Sequence, residues 1–133
     1  MAAPDGEAAV RIEEEHFAGI VLLRVTGGVN EETSPELQGR LLGLLAAREP
    51  RIGGIVIDMD GVPFVSSAGL RVLMIAAKES GKNNRRIALA RMRPCVNEVF
   101  QIGRFDRIIP AFGDIADALD SMSAEAAAVF RAG

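Results

Sequence analysis

A buried strand that leads straight into a helix is the strongest constraint on the fold of this chain. Residues 55–73 read IVIDMDGVPFVSSAGLRVL and begin with a β-branched run, typical of a central strand covered on both faces. The apolar residues after Ser66 and Ser67 predict a helix that one of these serines would cap. Two hydroxyl groups are therefore expected at a strand-to-helix junction, where unpaired backbone N–H groups and the helix dipole favour negative charge.

Strand and helix patterns alternate along the rest of the chain. Before this segment, the sequence predicts a hairpin of strands at residues 10–13 and 20–25, a turn at 16–19, and a helix that Ser34 caps. After the second helix, which should end near Gly81, we expect a strand at 86–90, a short helix from Pro94 that Gly103 ends, a strand at 107–109 and one alanine-rich helix at 114–131.

This order of elements predicts the fold class and the domain limits. The expected fold is α/β, a single domain with a mixed, mostly parallel sheet of about 4–5 strands packed with about 4 helices. The domain would span residues 9–133, after a flexible N-terminal tail at residues 1–8.

The composition argues against several kinds of partner. The net charge of −3 does not suit a general nucleic-acid binder, and tryptophan and tyrosine, which would stack on bases, are absent. The sequence shows no signal peptide, and no apolar run approaches the ~20 residues that a membrane-spanning helix needs. We therefore expect a cytoplasmic protein without direct membrane insertion. Cys95 is the only cysteine, and we interpret it as a buried structural residue.

A basic segment follows the second predicted helix. It contains Lys82, Arg85, Arg86, Arg91 and Arg93. Because no aromatic residues are interleaved and the chain is acidic, we interpret the segment as a solvated rim rather than a nucleic-acid site.

The serine pair lies in a sequence that half resembles the nucleophile elbow of α/β-hydrolases. Residues 65–69 read VSSAG, which lacks the first glycine of that motif. The mechanism also needs a histidine base downstream, whereas the only histidine, His16, lies about fifty residues upstream. Serine hydrolysis is therefore close to excluded, and no enzyme activity is expected.

A phosphatase is a further alternative. Residues 58–62 read DMDGV after an apolar strand and resemble the nucleophile motif of haloacid-dehalogenase-type phosphatases, in which Asp58 would attack phosphate with Mg²⁺ bound. That fold normally begins with its aspartate strand and needs a longer chain than the about 75 residues that follow Asp58. The sequence otherwise predicts no cofactor and no metal site.

The helix after the serine pair is apolar nearly all round, which leaves two interpretations open. It could be sandwiched between the sheet and neighbouring helices. Alternatively, Val72, Met74 and Ala76 could form an exposed protein-binding patch beside Ser67.

These residues together resemble the STAS-domain anti-sigma-factor antagonists, from about residue 10 to residue 119. The family pattern has an apolar strand, a polar turn, an aromatic residue, and a serine-containing junction followed by Gly-Leu. This chain supplies residues 55–58, Phe64, Ser66-Ser67 and Gly69-Leu70. The residues Gly28-Val29-Asn30 resemble the family's glycine, apolar, aspartate sequence ahead of the first helix, with asparagine in place of the usual aspartate.

The resemblance implies a function and its residues. The phosphorylated residue would be Ser67, with Ser66 as the alternative acceptor. The partners would be an anti-sigma factor with serine kinase activity and a phosphatase that removes the phosphate; a homodimer is also possible. The implied partner interface consists of Asn30, Ser66, Ser67, Ala68, Arg71, Val72 and Met74. The alternative within the family is a STAS subunit of a membrane-lipid transporter or a signalling scaffold.

Overall fold

A five-stranded mixed sheet with helices on both faces forms the protein. The structure is a computed structural model that describes residues 9–49 and 51–133; the tail predicted at residues 1–8 lies outside the described residues. The strands are β1 (Arg11–Phe17), β2 (Ile20–Thr26), β3 (Gly54–Gly61), β4 (Arg86–Ala90) and β5 (Ala111–Phe112). The helices are α1 (Ser34–Ala46), α2 (Ser67–Lys82), α3 (Pro94–Ile102), α4 (Ile115–Asp120) and α5 (Ala124–Ala132), with a 3₁₀ turn at Phe105–Arg107.

The strands lie in the order β1-β2-β3-β4-β5. The predicted hairpin is confirmed, since β1 and β2 pair antiparallel, and the remaining neighbours pair parallel. The turn is shorter than predicted and consists of Ala18 and Gly19, both with positive φ, because His16 and Phe17 continue β1. The α/β class and the mostly parallel sheet are thus confirmed.

Two hydrophobic cores lie on the two faces of the sheet. Alternate residues of the central strand β3 enter each: Ile55 and Ile57 face the larger core with α1, α2 and α3, and Val56 faces the smaller one. The smaller core is closed by α4 and α5, which bury Leu119, Ala126 and Ala127. The prediction of a central strand covered on both faces is confirmed.

The predicted strand at 107–109 is wrong. Hydrogen bonds from Arg107 N to Arg104 O (3.2 Å) and from Ile108 N to Phe105 O (2.9 Å) close tight turns there instead. Only Ile109 enters the core, and β5 begins after Pro110, where Ala111 pairs with Leu89. The consecutive residues Ile108 and Ile109 favoured a strand, but only Ile109 is buried, and its packing in the core is compatible with a turn.

Two helix starts also differ from the predictions. The alanine-rich region predicted as one helix is divided into α4 and α5, because Ser123 caps a second helix by accepting a hydrogen bond from Ala126 N at 3.1 Å. At α1, the N-cap is Thr33, and the predicted cap Ser34 is the first helical residue.

The prediction that the basic segment is a solvated rim is wrong for one residue, Arg85. Arg85 is 5% exposed, and its guanidinium donates to Leu44 O at 2.6 Å and to Ala47 O, at the end of α1. It therefore satisfies carbonyl groups that the helix leaves unpaired. Lys82, Arg86 and Arg93 are exposed as predicted.

No helix within the described residues is both long enough and apolar enough to cross a bilayer.

Candidate partner-binding site

Two loops meet where β2 and β3 end, and they bring the predicted site residues together. Val29 and Val65 form an isolated parallel bridge; Val29 N donates to Phe64 O at 3.1 Å, and Ser66 N donates to Val29 O at 2.8 Å. The ring of Phe64 lies over Gly28 so closely that a Cβ there would be 2.3 Å from it. The loop with Asn30 and the serine pair thus lie side by side.

Ser66 and Ser67 have different roles at the start of α2. Ser66 is the N-cap, with extended backbone, and its Oγ accepts a hydrogen bond from Gly69 N at 3.3 Å. Ser67 is the first helical residue, its side chain is exposed, and its Oγ forms no hydrogen bond within the described part of the chain. The capping role therefore belongs to Ser66, and Ser67 is the serine of the pair that is exposed to solvent.

Gly69 allows α2 to start against both loops. A Cβ at this position would lie 2.6 Å from Val65 Cγ1 and 2.8 Å from Val29 Cγ1, closer than carbon atoms can approach without displacement. The packing of the junction therefore favours glycine at position 69.

Asn30 holds the first loop through its side-chain oxygen. Its Oδ1 accepts hydrogen bonds from Glu32 N at 2.9 Å and from Thr33 N at 3.0 Å. Thr33 Oγ1 in turn donates to Gly28 O at 2.8 Å. An amide oxygen makes these contacts as a carboxylate would, which explains how asparagine can stand at this position.

The outward face of α2 differs from the predicted patch. Val72 is 4% exposed and Ala76 1% exposed, so both side chains lie in the core, and Met74 is half-buried against it. The sandwich interpretation is correct for these residues, and Val72 cannot offer its side chain to a partner. The exposed residues Ser67 and Arg71, with the half-buried Ala68, form the surface of the first turns of α2.

An apolar groove beside the serine pair was not predicted. It has a volume of about 150 Å³ and runs between α2 and α3; we call it the α2–α3 groove. Its rim is formed by Phe64, Leu70, Cys95 and Val99, and its floor by residues of the core. An aromatic residue in the loop before the serines was the available signal, because Phe64 remains 50% exposed.

Comparison with known proteins identifies the family. A model of the STAS domain matches residues 11–118. This chain belongs to the STAS domain family. It is similar to BtrV of Bordetella bronchiseptica, whose name assigns it to the anti-sigma factor antagonists, with 29% identity over 76% of this chain and 84% of that protein. It is also similar to an anti-sigma F factor antagonist of Paenibacillus polymyxa, with 22% identity over 85% and 95% of the two chains.

This STAS domain shares its fold with solved structures of proteins that carry different functional names. An anti-sigma factor antagonist from Mycobacterium paratuberculosis has a TM-score of 0.77 and 23% identity, over 92% of this chain and 98% of the other. The Bacillus cell fate determinant SpoIIAA in its phosphorylated form has a TM-score of 0.64 and 15% identity, over 84% and 98%. A sulfate transporter family protein from Wolinella succinogenes has a TM-score of 0.67 and 17% identity, over 87% and 90%.

In this STAS domain, the carboxylate of Asp58 links β3 to Arg24 of β2 and to Arg91, the residue that follows β4. Its carboxylate is 5% exposed and accepts hydrogen bonds from Arg91 Nε (3.0 Å), Arg91 Nη2 (2.8 Å) and Arg24 Nη1 (3.2 Å). The hydrogen bond to Asp58 raises the pKa of the Arg91 guanidinium. Because two guanidinium groups occupy both carboxylate oxygens, the geometry does not favour the phosphatase interpretation of Asp58.

Cys95 corrects the prediction of a buried cysteine. It is exposed at the start of α3, and its Sγ lies 3.3 Å from Pro63 O. Its place on the rim of the α2–α3 groove makes it the one thiol from which that groove can be probed.

Proposed function

We propose that this STAS domain is an anti-sigma factor antagonist that binds an anti-sigma factor with serine kinase activity and releases it when Ser67 is phosphorylated. The names of the two sequence relatives support the antagonist function. The observation that best supports a phosphorylation switch is that the two serines differ in role. Ser66 caps α2, whereas the adjacent Ser67 is exposed and its Oγ forms no hydrogen bond with the described residues. The proposed location is the cytoplasm.

The position of Ser67 suits a phosphate in the free protein. A phosphate adds about −1.5 to −2 charges, and at the first residue of α2 it would meet unpaired backbone N–H groups and the positive end of the helix dipole. Close to the serine pair in sequence, Ala68 is half-buried and Phe64 is exposed, so the surface there is partly apolar.

The same phosphate would oppose the complex. A partner that covers this partly apolar surface would have to desolvate the charge, which is costly. A loss of about 3 kcal/mol, a factor of on the order of a hundred in affinity, is sufficient to release the partner. A phosphatase specific for phosphoserine would then restore binding.

Affinity capture with variant baits tests this proposal. The wild-type chain and Ser67→Ala are expected to capture an anti-sigma factor of the kinase type, and mass spectrometry should locate phosphate on Ser67 of the wild type. Ser67→Glu should lose the kinase, because the glutamate imitates part of the charge while it is compatible with the first turn of α2. Ser121→Glu, which adds the same charge at an exposed serine at the end of α4, is the matched control and should retain it.

The same capture tests the alternative within the family. The likeness to a sulfate transporter family protein concerns the fold, and a constitutive STAS subunit remains the second candidate. Capture of the same transport or scaffold proteins by all the baits, without phosphate on Ser66 or Ser67, would replace the antagonist proposal with this one.

A further inference from the structure

The α2–α3 groove is an apolar surface to which the proposed switch assigns no role. Phe64 is 50% exposed and Val99 44% exposed on its rim, and one turn along α3 Ile102 is 77% exposed. Within the described residues, these are three of the five large hydrophobic side chains that are exposed. An apolar surface concentrated in this way is typical of a protein contact.

The groove is continuous with the surface around Ser67. Leu70 and Arg71 follow Ser67 by three and four positions on α2, so the three side chains lie on the same side of the helix. Leu70 also forms part of the rim of the α2–α3 groove. A partner that covers Ser67 would therefore also reach the groove.

Arg71 adds a positive charge to the surface beside the α2–α3 groove. It is exposed, and it forms no ion pair with any residue in 9–49 or 51–133. An unpaired guanidinium beside an apolar groove fits a partner that presents an apolar side chain next to a carboxylate.

Resting on the proposed function, we infer that the same anti-sigma factor kinase inserts an apolar side chain into the α2–α3 groove and pairs a carboxylate with Arg71. A phosphate on Ser67 would lie one helical turn from Arg71 and compete for its guanidinium. Phosphorylation then removes an attractive contact as well as adding a charge that must be desolvated.

Matched pairs of full-length variants test this inference against the purified kinase that the capture identifies, with affinities measured by titration calorimetry. Val99→Ser should weaken binding about tenfold, whereas Val129→Ser, on α5 and 47% exposed, should leave it unchanged. Arg71→Gln should weaken binding about fivefold, whereas Lys78→Gln, two turns further along α2 and also exposed, should not. Circular dichroism checks that each variant is folded.

The single cysteine provides a test without substitution in the groove. Alkylation of Cys95 with N-ethylmaleimide, followed by removal of the reagent, should obstruct the groove and weaken binding about tenfold or more. Cys95→Ser treated in the same way is the control and should bind as it does untreated.

The outcomes separate this inference from the proposed function. If Ser67→Glu loses the kinase while Val99→Ser and the alkylated chain bind as tightly as wild type, the groove inference is overturned and the switch stands. If wild type does not bind a kinase, both are overturned. If Val99→Ser instead abolishes self-association of this chain and leaves kinase binding intact, the groove is a surface for a second copy and the inference is again overturned.

Discussion

Ser66 and Ser67 are adjacent in sequence, yet the structure gives their hydroxyl groups unrelated surroundings. One accepts a hydrogen bond from the backbone of α2, and the other faces solvent. The sequence identified the pair but could not separate the two, because serine suits both the cap and the first helical turn. The same limit applies to Cys95 and Arg85. The exposure of Cys95 depends on how α3, which contains it, packs on the domain, and the burial of Arg85 depends on its contacts with the end of α1.

Alanine substitutions at the two serines should therefore have different effects on stability. Ser66→Ala removes the cap of α2 and should lower the free energy of unfolding by about 1 kcal/mol. Ser67→Ala removes no hydrogen bond and should change it by less than about 0.5 kcal/mol. Urea denaturation followed by circular dichroism measures both, and equal losses would contradict the assignment of Ser66 as the cap.

At the scale of single elements, α2 connects the two loops of the candidate site to the core. Its buried residues Gly69, Val72, Leu73, Ala76 and Ser80 recur at helical spacing. The sequence showed where α2 begins and that it is apolar, but not which of its apolar residues face outward. That choice depended on α1, which packs along α2 and covers a side that an isolated amphipathic helix would expose.

A glycine comparison tests how tightly α2 fits the junction. Gly69→Ala should lower the free energy of unfolding by about 2 kcal/mol, since its methyl group would overlap Val65 and Val29. Gly43→Ala, at an exposed site in α1 with nothing within 4 Å of the added carbon, should raise it by about 0.5–1 kcal/mol. Thermal denaturation of the two variants is the measurement, and a neutral Gly69→Ala would show that the junction can relax.

Elements were predicted well where a long pattern supported them and poorly where it was short. The hairpin, β3, β4, α1, α2 and α3 follow from periodicity and from turn residues. The strand predicted at 107–109 failed because three residues carry too little pattern to exclude a turn with one buried side chain, Ile109. The single helix predicted at 114–131 failed because a serine within it can start a new helix.

At the scale of the whole molecule, the two cores differ in the size of the side chains they bury. The larger core contains leucine, isoleucine and phenylalanine side chains from three helices and the sheet. The smaller core is closed partly by alanines, and the fully buried residues of α5 are Ala126 and Ala127. The contacts of α5 with the rest of the domain include an edge-to-face pair between Phe130 and Phe17 of β1, with ring centres 5.4 Å apart.

This difference predicts unequal local stability. Because buried alanines contribute little apolar area, α5 should open at a lower free energy than α2, which buries Val72 and Leu73. Hydrogen exchange followed by mass spectrometry should show that amides of α5 exchange at least about tenfold faster than those of α2 and β3. Equal protection of the two helices would mean that the molecule opens only as a whole.

The separation of the two serines also bears on how such domains diverge. Since the residue that holds α2 is not the residue proposed to carry the phosphate, position 67 can vary while the fold is retained. On the proposed function, a single substitution there would turn a regulated antagonist into one that holds its partner permanently. A signalling module and a constant subunit of a larger assembly could then descend from one ancestor with little structural change between them.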